Sequence, residues 1–188
     1  MRARSARRAA LASSLALVAA IAFVATRGST SAGPPPCQVV ASGSHYRLDR
    51  SQVANAITIT DTARRLGLSH HAVTVALAVA LQESLLYNLD HGDRDSLGLF
   101  QQRPSQGWGS PSQILDPRHA AEAFLRALTR IDQWQTMSVN DAAQLVQHSA
   151  TPNAYAKSEA EARAIARATT GELPGTLTCP TTKQRRGT

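Results

Sequence analysis

Hydrophobic and polar positions follow two different periods along this chain. Residues 37–48, CQVVASGSHYRL, hold two short β-prone runs separated by Ser-Gly-Ser, a pattern that predicts a β-hairpin. Beyond residue 48, apolar residues recur every three to four positions, which is the period of an amphipathic helix. The pattern therefore predicts a small, mostly α-helical domain with a short N-terminal β-hairpin.

Start and stop signals divide the helical region into five helices. The first begins at Asp49, where Gln52 three residues later forms a capping box, and it ends near Gly67. The second begins at Ser69 and carries the apolar run to about Leu86. The remaining helices are predicted to open at Asp116–Pro117, at Ser138 and at Pro152, with the last one ending at Gly171.

The N-terminal 26 residues have the pattern of an export signal. Arginines crowd the first eight residues, and an uncharged apolar run follows over residues 9–26. Because that run is about long enough to span a bilayer, which takes ~17–25 residues, a cleaved signal and an N-terminal membrane anchor both stay open. Residues 27–36, rich in Gly, Ser and Pro, predict a flexible linker. We expect an exported domain, secreted or held at the cell envelope.

Two cysteines, Cys37 and Cys179, bracket the predicted domain over residues 37–179. An even number of cysteines in an exported chain indicates a disulfide. Such a bond would join the two ends of the domain. Residues 180–188 then form a short basic tail, which we expect to be disordered.

The net charge of +7 comes from the ends of the chain. Between the cysteines, 12 basic residues face 13 acidic ones, so the domain itself is close to neutral. A nucleic-acid-binding domain needs a basic patch on its folded face, and we therefore expect no nucleic-acid partner. The sequence contains no Gly-rich phosphate loop and no zinc motif, and we expect neither a cofactor nor a metal.

A long polar loop follows the second helix, from Tyr87 to about Ser110. Loops of this length in compact domains are usually functional or disordered, and the apolar residues within this one predict an ordered loop. Gln101, Gln102 and Trp108 make it a candidate sugar-binding surface, although Trp108 could equally pack into the core. Three roles stay open for its acidic residues, namely a second catalytic carboxylate, cation ligands, or hydrogen bonding that shapes the loop. These residues are Asp90, Asp93 and Asp95.

Glu83 stands at the end of the second helix, on the apolar stripe that runs from Val73 to Ala80. Burial disfavours the charged carboxylate, so the pKa of Glu83 should rise, as suits a general acid. A structural alternative is a buried ion pair with Arg94 or Arg103. The pattern of this helix alone does not choose between the two roles.

A second motif follows Glu83 at a fixed interval. Gly98–Gln101, GLFQ, begins fifteen residues after Glu83, which is itself followed by Ser84. This arrangement resembles the lysozyme-like superfamily, specifically its soluble lytic transglycosylase type, in which a Glu-Ser helix end precedes a Gly-Leu-Met-Gln motif. Phe100 replaces the Met. The stretch over residues 88–109 is also similar to exported actinobacterial lysozyme-like proteins, with resuscitation-promoting factors as a related group.

The resemblance implies a peptidoglycan-cleaving enzyme, either a lytic transglycosylase or a muramidase, with glycan strands as its partner. It assigns Glu83 as the catalytic acid, with Ser84, Gly98 and Gln101 in the sugar site. Tyr155, in the sequence NAYAK, loosely matches a later aromatic motif of that family, although the usual Tyr-Asn-Ala-Gly form is absent. We expect a monomer. Two alternatives stay open, a non-catalytic module that binds cell-wall glycan and an extracytoplasmic cation-binding protein.

Overall fold

The computed structural model describes residues 34–149, 151–172 and 174–181. These residues form six α-helices and three β-strands, which confirms the predicted mostly helical domain with a short hairpin. The strands are β1 (Cys37–Ala41), β2 (Ser44–Leu48) and β3 (Gly175–Thr178). The helices are α1 (Arg50–Arg65), α2 (His70–Ser84), α3 (Pro111–Ile114), α4 (Pro117–Leu128), α5 (Val139–Gln147) and α6 (Glu159–Thr170).

Several predicted segments lie outside these ranges. They are the export signal over residues 1–26, most of the linker, and residues 182–188 of the basic tail. Within the described ranges, no helix combines the length and the apolar character needed to cross a membrane.

The small sheet joins the two ends of the domain. β1 and β2 form the predicted antiparallel hairpin, which turns through Ser42 and Gly43, both at positive φ. β3 pairs antiparallel with the other edge of β1, giving the order β2-β1-β3. A disulfide links Cys37 at the start of β1 to Cys179 just after β3, as predicted. The sheet and the disulfide therefore hold both termini of the domain together.

The central helix of the domain is α2. Every residue from Ala72 to Leu81 is buried, and α2 contacts α1, α4, α5 and α6. A helix that is apolar on all sides belongs in such a position. Its C-terminal end reaches the surface, where Leu85 is 63% exposed. Glu83 therefore lies where the buried helix meets solvent.

The last helix was predicted to open at Pro152, and this was wrong, because α6 begins at Glu159. Residues 151–155 form turns, with Asn153 at a positive φ of 56°. The Tyr155 backbone N–H donates to the Asn140 side-chain oxygen at 3.2 Å, and the Tyr155 ring is buried. These tertiary contacts hold the segment out of a helix and turn Tyr155 inward.

Two four-residue elements were not predicted, α3 and β3. α3 opens at Ser110, whose side chain forms a capping box with Gln113, and it buries Ile114. β3 gains its regular structure by pairing with β1. Segments this short carry too few positions for a hydrophobic period to appear.

Candidate active site

Glu83 lies in the last turn of α2, which ends where the backbone at Leu85 and Leu86 turns left-handed, at φ 53° and 63°. Leu86 is fully buried while Leu85 is exposed. The chain therefore turns away from the helix axis directly after Glu83. Glu83 is half-buried and lines an open cleft.

The cleft has a volume of about 440 Å³, which is in the range of small-molecule sites. Its walls come from the end of α2, the long loop, the end of α5 and the turn before α6. Four of the predicted site residues line it, and they are Glu83, Gln101, Trp108 and Tyr155. The other lining residues are Arg103, Gln106, Val146, Gln147, His148 and Ser149.

The Glu83 carboxyl group is bonded to a phenol. The Tyr155 hydroxyl donates to Oε1 of Glu83 at 2.9 Å. Burial raises the pKa of Glu83 above its ordinary value, while the hydrogen bond from Tyr155 and the nearby Gln147 amide oppose that rise. The net direction is upward, which keeps the carboxyl group protonated to a higher pH than a solvated glutamate.

The alternative role for Glu83, in an ion pair with Arg94 or Arg103, is wrong. The Arg103 guanidinium pairs with Asp95, with 2.6 Å between Nε and Oδ1, and Arg94 lies 4.0 Å from an Asp93 oxygen. Among the described residues, no arginine or lysine lies within ion-pair distance of Glu83. The carboxyl group is thus without a neutralising cation.

Tyr155 is held firmly in the core. Its side chain is 1% exposed, and its backbone is bonded to Asn140 at the start of α5. Burial raises the pKa of the Tyr155 hydroxyl strongly, and the adjacent Glu83 charge raises it further. The phenol therefore keeps its proton to a higher pH than a solvated tyrosine and can donate to Glu83.

Ser84 ties α2 to the long loop. Its hydroxyl lies 2.8 Å from the carbonyl oxygen of Leu99 and 3.0 Å from that of Ala80. Ser84 is buried and does not line the cleft. The Glu-Ser pair and the GLFQ motif thus meet through a hydrogen bond, and this bond positions the loop beside Glu83.

Gly98 and Gln102 are buried and do not line the cleft. Gly98 has a φ of 75°, and a Cβ there would stand 2.7 Å from the Ile114 carbonyl oxygen. The Gln102 side-chain amide donates to the Ala120 carbonyl at 3.2 Å. Backbone hydrogen bonds of 2.9 Å in both directions join Leu97 and Gln102. These contacts close the loop tightly and hold it on α3 and α4.

Gln101 and Trp108 are the loop residues that do face the cleft. Gln101 has a left-handed backbone, at φ 48°. Its side-chain amide donates to the carbonyls of His91 and Gly98, both at 3.3 Å, and its side-chain oxygen lies against Gly92, so these contacts fix the orientation of the side chain at the cleft. The half-buried Trp108 presents an aromatic surface of the kind on which a sugar ring can stack.

The acidic residues of the loop are engaged within the loop. Hydrogen bonds from the Ser105 backbone and the Arg103 side chain hold the pKa of Asp95 well below its usual range. Asp90 is bonded to His91 at 2.8 Å. The described residues contain no group of three or more His, Cys, Asp or Glu side chains placed to hold a metal ion. Hydrogen bonding that shapes the loop is therefore the role that these contacts support.

The end of α5 contributes a wall of the cleft that the sequence reasoning missed. The Gln147 amide donates to the Phe100 carbonyl at 3.0 Å, and His148 follows with a left-handed backbone, at φ 49°. The sequence of this helix end contains no motif that indicates a binding or catalytic site. Their role depends on the packing of α5 against α2, which brings positions 83 and 147 together.

No family model matches this sequence, and no curated protein matches it either.

Proposed function

We propose that this protein cleaves the glycan strands of peptidoglycan, as a lysozyme-like lytic transglycosylase or muramidase with Glu83 as its catalytic acid. One observation carries the proposal. A half-buried carboxyl group with a raised pKa faces an open cleft, bonded to a tyrosine and without a cationic partner among the described residues. Burial and the absence of a cation favour the protonated acid, while the tyrosine bond stabilises the carboxylate that remains after proton transfer.

The reaction begins with proton transfer from Glu83 to the glycosidic oxygen between N-acetylmuramic acid and N-acetylglucosamine. The bond from the muramyl C1 to that oxygen then breaks, and positive charge develops on the sugar ring. The carbonyl oxygen of the substrate's own 2-acetamido group stabilises that charge, as in substrate-assisted glycosidases. Glu83, now ionised, removes a proton from the muramyl 6-hydroxyl or from water. The first route gives a 1,6-anhydro product and the second gives hydrolysis.

Tyr155 affects Glu83 both before and after the proton transfer. Its hydroxyl donates to Oε1 of Glu83 at 2.9 Å. A hydrogen bond to a carboxylate stabilises the ionised form. Tyr155 therefore steadies Glu83 after the proton has left, while burial favours the protonated form before it leaves.

A single-carboxylate mechanism agrees with the composition of the cleft. Glu83 is the only acidic side chain among the described residues that line it. Inverting glycosidases need a second carboxylate about 6.5–9.5 Å from the first. Among the loop candidates, Asp95 is paired with Arg103, and none of Asp90, Asp93 and Asp95 lines the cleft. Substrate assistance is the route that this arrangement favours.

The location of the substrate agrees with the predicted export of the chain. Peptidoglycan lies outside the cytoplasmic membrane, where disulfides form and persist. The Cys37–Cys179 disulfide is the kind of bond expected there. The proposal therefore requires the N-terminal segment to export the domain, with or without cleavage.

The variant Glu83→Gln tests the proposal. Gln keeps the shape of the side chain but cannot donate a proton to the leaving oxygen. General acid–base catalysis contributes about 10²–10⁴-fold, so the variant should lose at least 10²-fold of its wall-clearing rate while remaining folded. Glu161→Gln is the matched control, because Glu161 is also half-buried with its pKa raised by burial, yet it does not line the cleft. The control should keep the wild-type rate.

Mass spectrometry of the digested wall then identifies the product, since an anhydro product is lighter than a hydrolysed one by one water. A folded Glu83→Gln variant with wild-type activity would refute the role of Glu83. Wild-type protein that binds purified wall and never clears it would show a glycan-binding module instead of an enzyme. A melting temperature that rises with added divalent cation and falls with chelator would favour the cation-binding alternative.

A further inference from the structure

A second chamber lies next to the cleft that contains Glu83. This chamber has a volume of about 470 Å³ and lies between the C-terminal halves of α4 and α5. It shares four lining residues with the first chamber, namely Gln106, Trp108, Val146 and His148. The two cavities are therefore adjacent, with Trp108 lining both of them at their junction.

The second chamber differs from the first in charge and polarity. Its floor is apolar and includes Ala123, Ala127, Ile131 and the 47% exposed Leu145. Two arginines, Arg126 and Arg130, stand in its lining. The lining contains no acidic side chain among the residues that the structure describes.

The arginines retain hydrogen-bonding capacity. Nε and Nη2 of Arg126 both bond to one Glu122 oxygen, at 2.8 and 2.7 Å, and the Nη1 donors make no further bond within the described part of the chain. The Arg130 side chain forms no ion pair with any residue that the structure describes. Guanidinium groups bind carboxylates in a planar, two-pronged geometry. The chamber therefore suits a ligand with carboxylates and small apolar side chains.

We propose that this second chamber binds the acidic peptide stem attached to the muramic acid of the strand that Glu83 cleaves, so that the enzyme prefers strands with intact stems. The inference rests on the proposed function. Within such a strand the sugars are uncharged, and the free carboxylates belong to the stem. A muramic acid at the Trp108 junction has its stem beside the arginines. The alanine methyl groups of the stem match the apolar floor, and its carboxylates match Arg126 and Arg130.

Two glycan substrates test this preference. One is purified wall with its stems. The other is the same wall after an amidase has removed the stems and the lactyl carboxylates that this hydrolysis leaves on the muramic acids have been converted to methylamides. Each is digested by wild-type protein and by the double variant Arg126→Gln/Arg130→Gln. The ratio of kcat/KM on intact strands to kcat/KM on stem-free strands should fall about tenfold in the double variant, since charge-assisted hydrogen bonds are the strong ones. Arg130→Gln alone provides a smaller change that preserves the Arg126–Glu122 pair.

The matched control is Arg118→Gln. Arg118 is an exposed arginine in the first turn of the same α4 helix, and it lines neither chamber. This variant removes the same charge and should keep the wild-type ratio. An equal fall of the ratio in this control would show that net charge alone causes the effect, and it would overturn the proposal. An unchanged ratio in a folded double variant would also overturn it.

A binding measurement separates this proposal from the question of catalysis. Glu83→Gln protein is titrated with soluble N-acetylmuramoyl-alanyl-glutamate, and NMR chemical shifts report binding. A second titration uses the same probe with both carboxylates amidated. The charged probe should shift the Trp108 and Ile131 signals and bind at least fivefold more tightly than the amidated one. Binding without any wall cleavage by wild-type protein would remove the proposed reaction and keep the stem site. Equal binding of both probes, or none, would overturn the stem site even in an active enzyme.

Discussion

At the residue scale, the properties of Glu83 arise from two opposing contacts. Burial at the end of α2 penalises the charged carboxylate, and the Tyr155 hydroxyl at 2.9 Å stabilises it. A fully buried glutamate without a hydrogen-bond donor would hold its proton too tightly to transfer it readily to a leaving oxygen, because the carboxylate formed would have no partner. The Tyr155 bond therefore limits the pKa rise that burial produces.

The variant Tyr155→Phe removes that limit. Without the donor, the pKa of Glu83 should rise further, because the ionised form loses its hydrogen bond while the desolvation penalty remains. The protonated acid then persists to higher pH, so the alkaline limb of the kcat/KM profile should move to higher pH. The maximum rate should fall, because the carboxylate formed after proton transfer is less stable.

The control for this experiment is Tyr87→Phe. Tyr87 also donates its hydroxyl to a carboxylate, Asp49, at 2.6 Å, but it does not line the cleft. Its removal should leave the pH profile of activity where it is. An alkaline limb that stays in place or moves to lower pH in Tyr155→Phe would contradict the role given to the phenol.

At the scale of elements, the site depends on the joint between α2 and the long loop. The Ser84 hydroxyl bonds to the Leu99 carbonyl at 2.8 Å, and Gly98 fits against the Ile114 carbonyl of α3. The loop is therefore fixed at its base, while Gln101 and Trp108 face the cleft. The fifteen-residue interval between the two motifs matches the hydrogen bond between residues 84 and 99.

Ser84→Ala tests this joint. The change leaves a buried carbonyl without its partner, which costs about 1–3 kcal/mol of unfolding free energy, and it frees the loop to move relative to Glu83. Wall-clearing activity should fall even at temperatures where the variant is fully folded. Thr74→Val is the control, because it also removes a buried hydroxyl of α2, one that bonds within the helix to the His70 carbonyl.

The control should lose stability without losing activity below its unfolding transition. Urea unfolding and wall clearing on the same preparations give the comparison. If folded Ser84→Ala and folded wild-type protein have the same specific activity, the hydrogen bond from Ser84 to Leu99 is not needed to position the loop.

At the scale of the whole molecule, the disulfide controls stability. Cys37 and Cys179 are 142 residues apart, so their bond closes nearly the entire domain. Loop-closure entropy for that separation corresponds to about 5 kcal/mol. The double variant Cys37→Ala/Cys179→Ala should lose stability of that order, as measured by urea unfolding without reductant. Wild-type protein in reductant should match it. A loss of less than about 1 kcal/mol would show that the sheet alone holds the ends together.

Much of the fold follows from local patterns that the sequence determines by itself. The capping box at Asp49, the Asp116–Pro117 helix start and the stop at Gly171 depend on neighbours only a few residues away, and the structure has all three. The hairpin and the disulfide follow from equally simple signals. The position of Glu83 at the end of an apolar helix was also readable, because helical periodicity sets which residues share a face.

Tertiary structure alone decided which side chains meet Glu83. Tyr155 lies 72 residues away along the chain, and it reaches the carboxyl group because the turn before α6 replaces the helix predicted from Pro152. The sequence marked Ser84, Gly98 and Gln102 as site residues but not the direction of their side chains, and packing buried all three away from the cleft lining. The end of α5 became a wall for the same reason. Local signals determine where helices begin and end, whereas the buried contacts between helices determine which surfaces face each other.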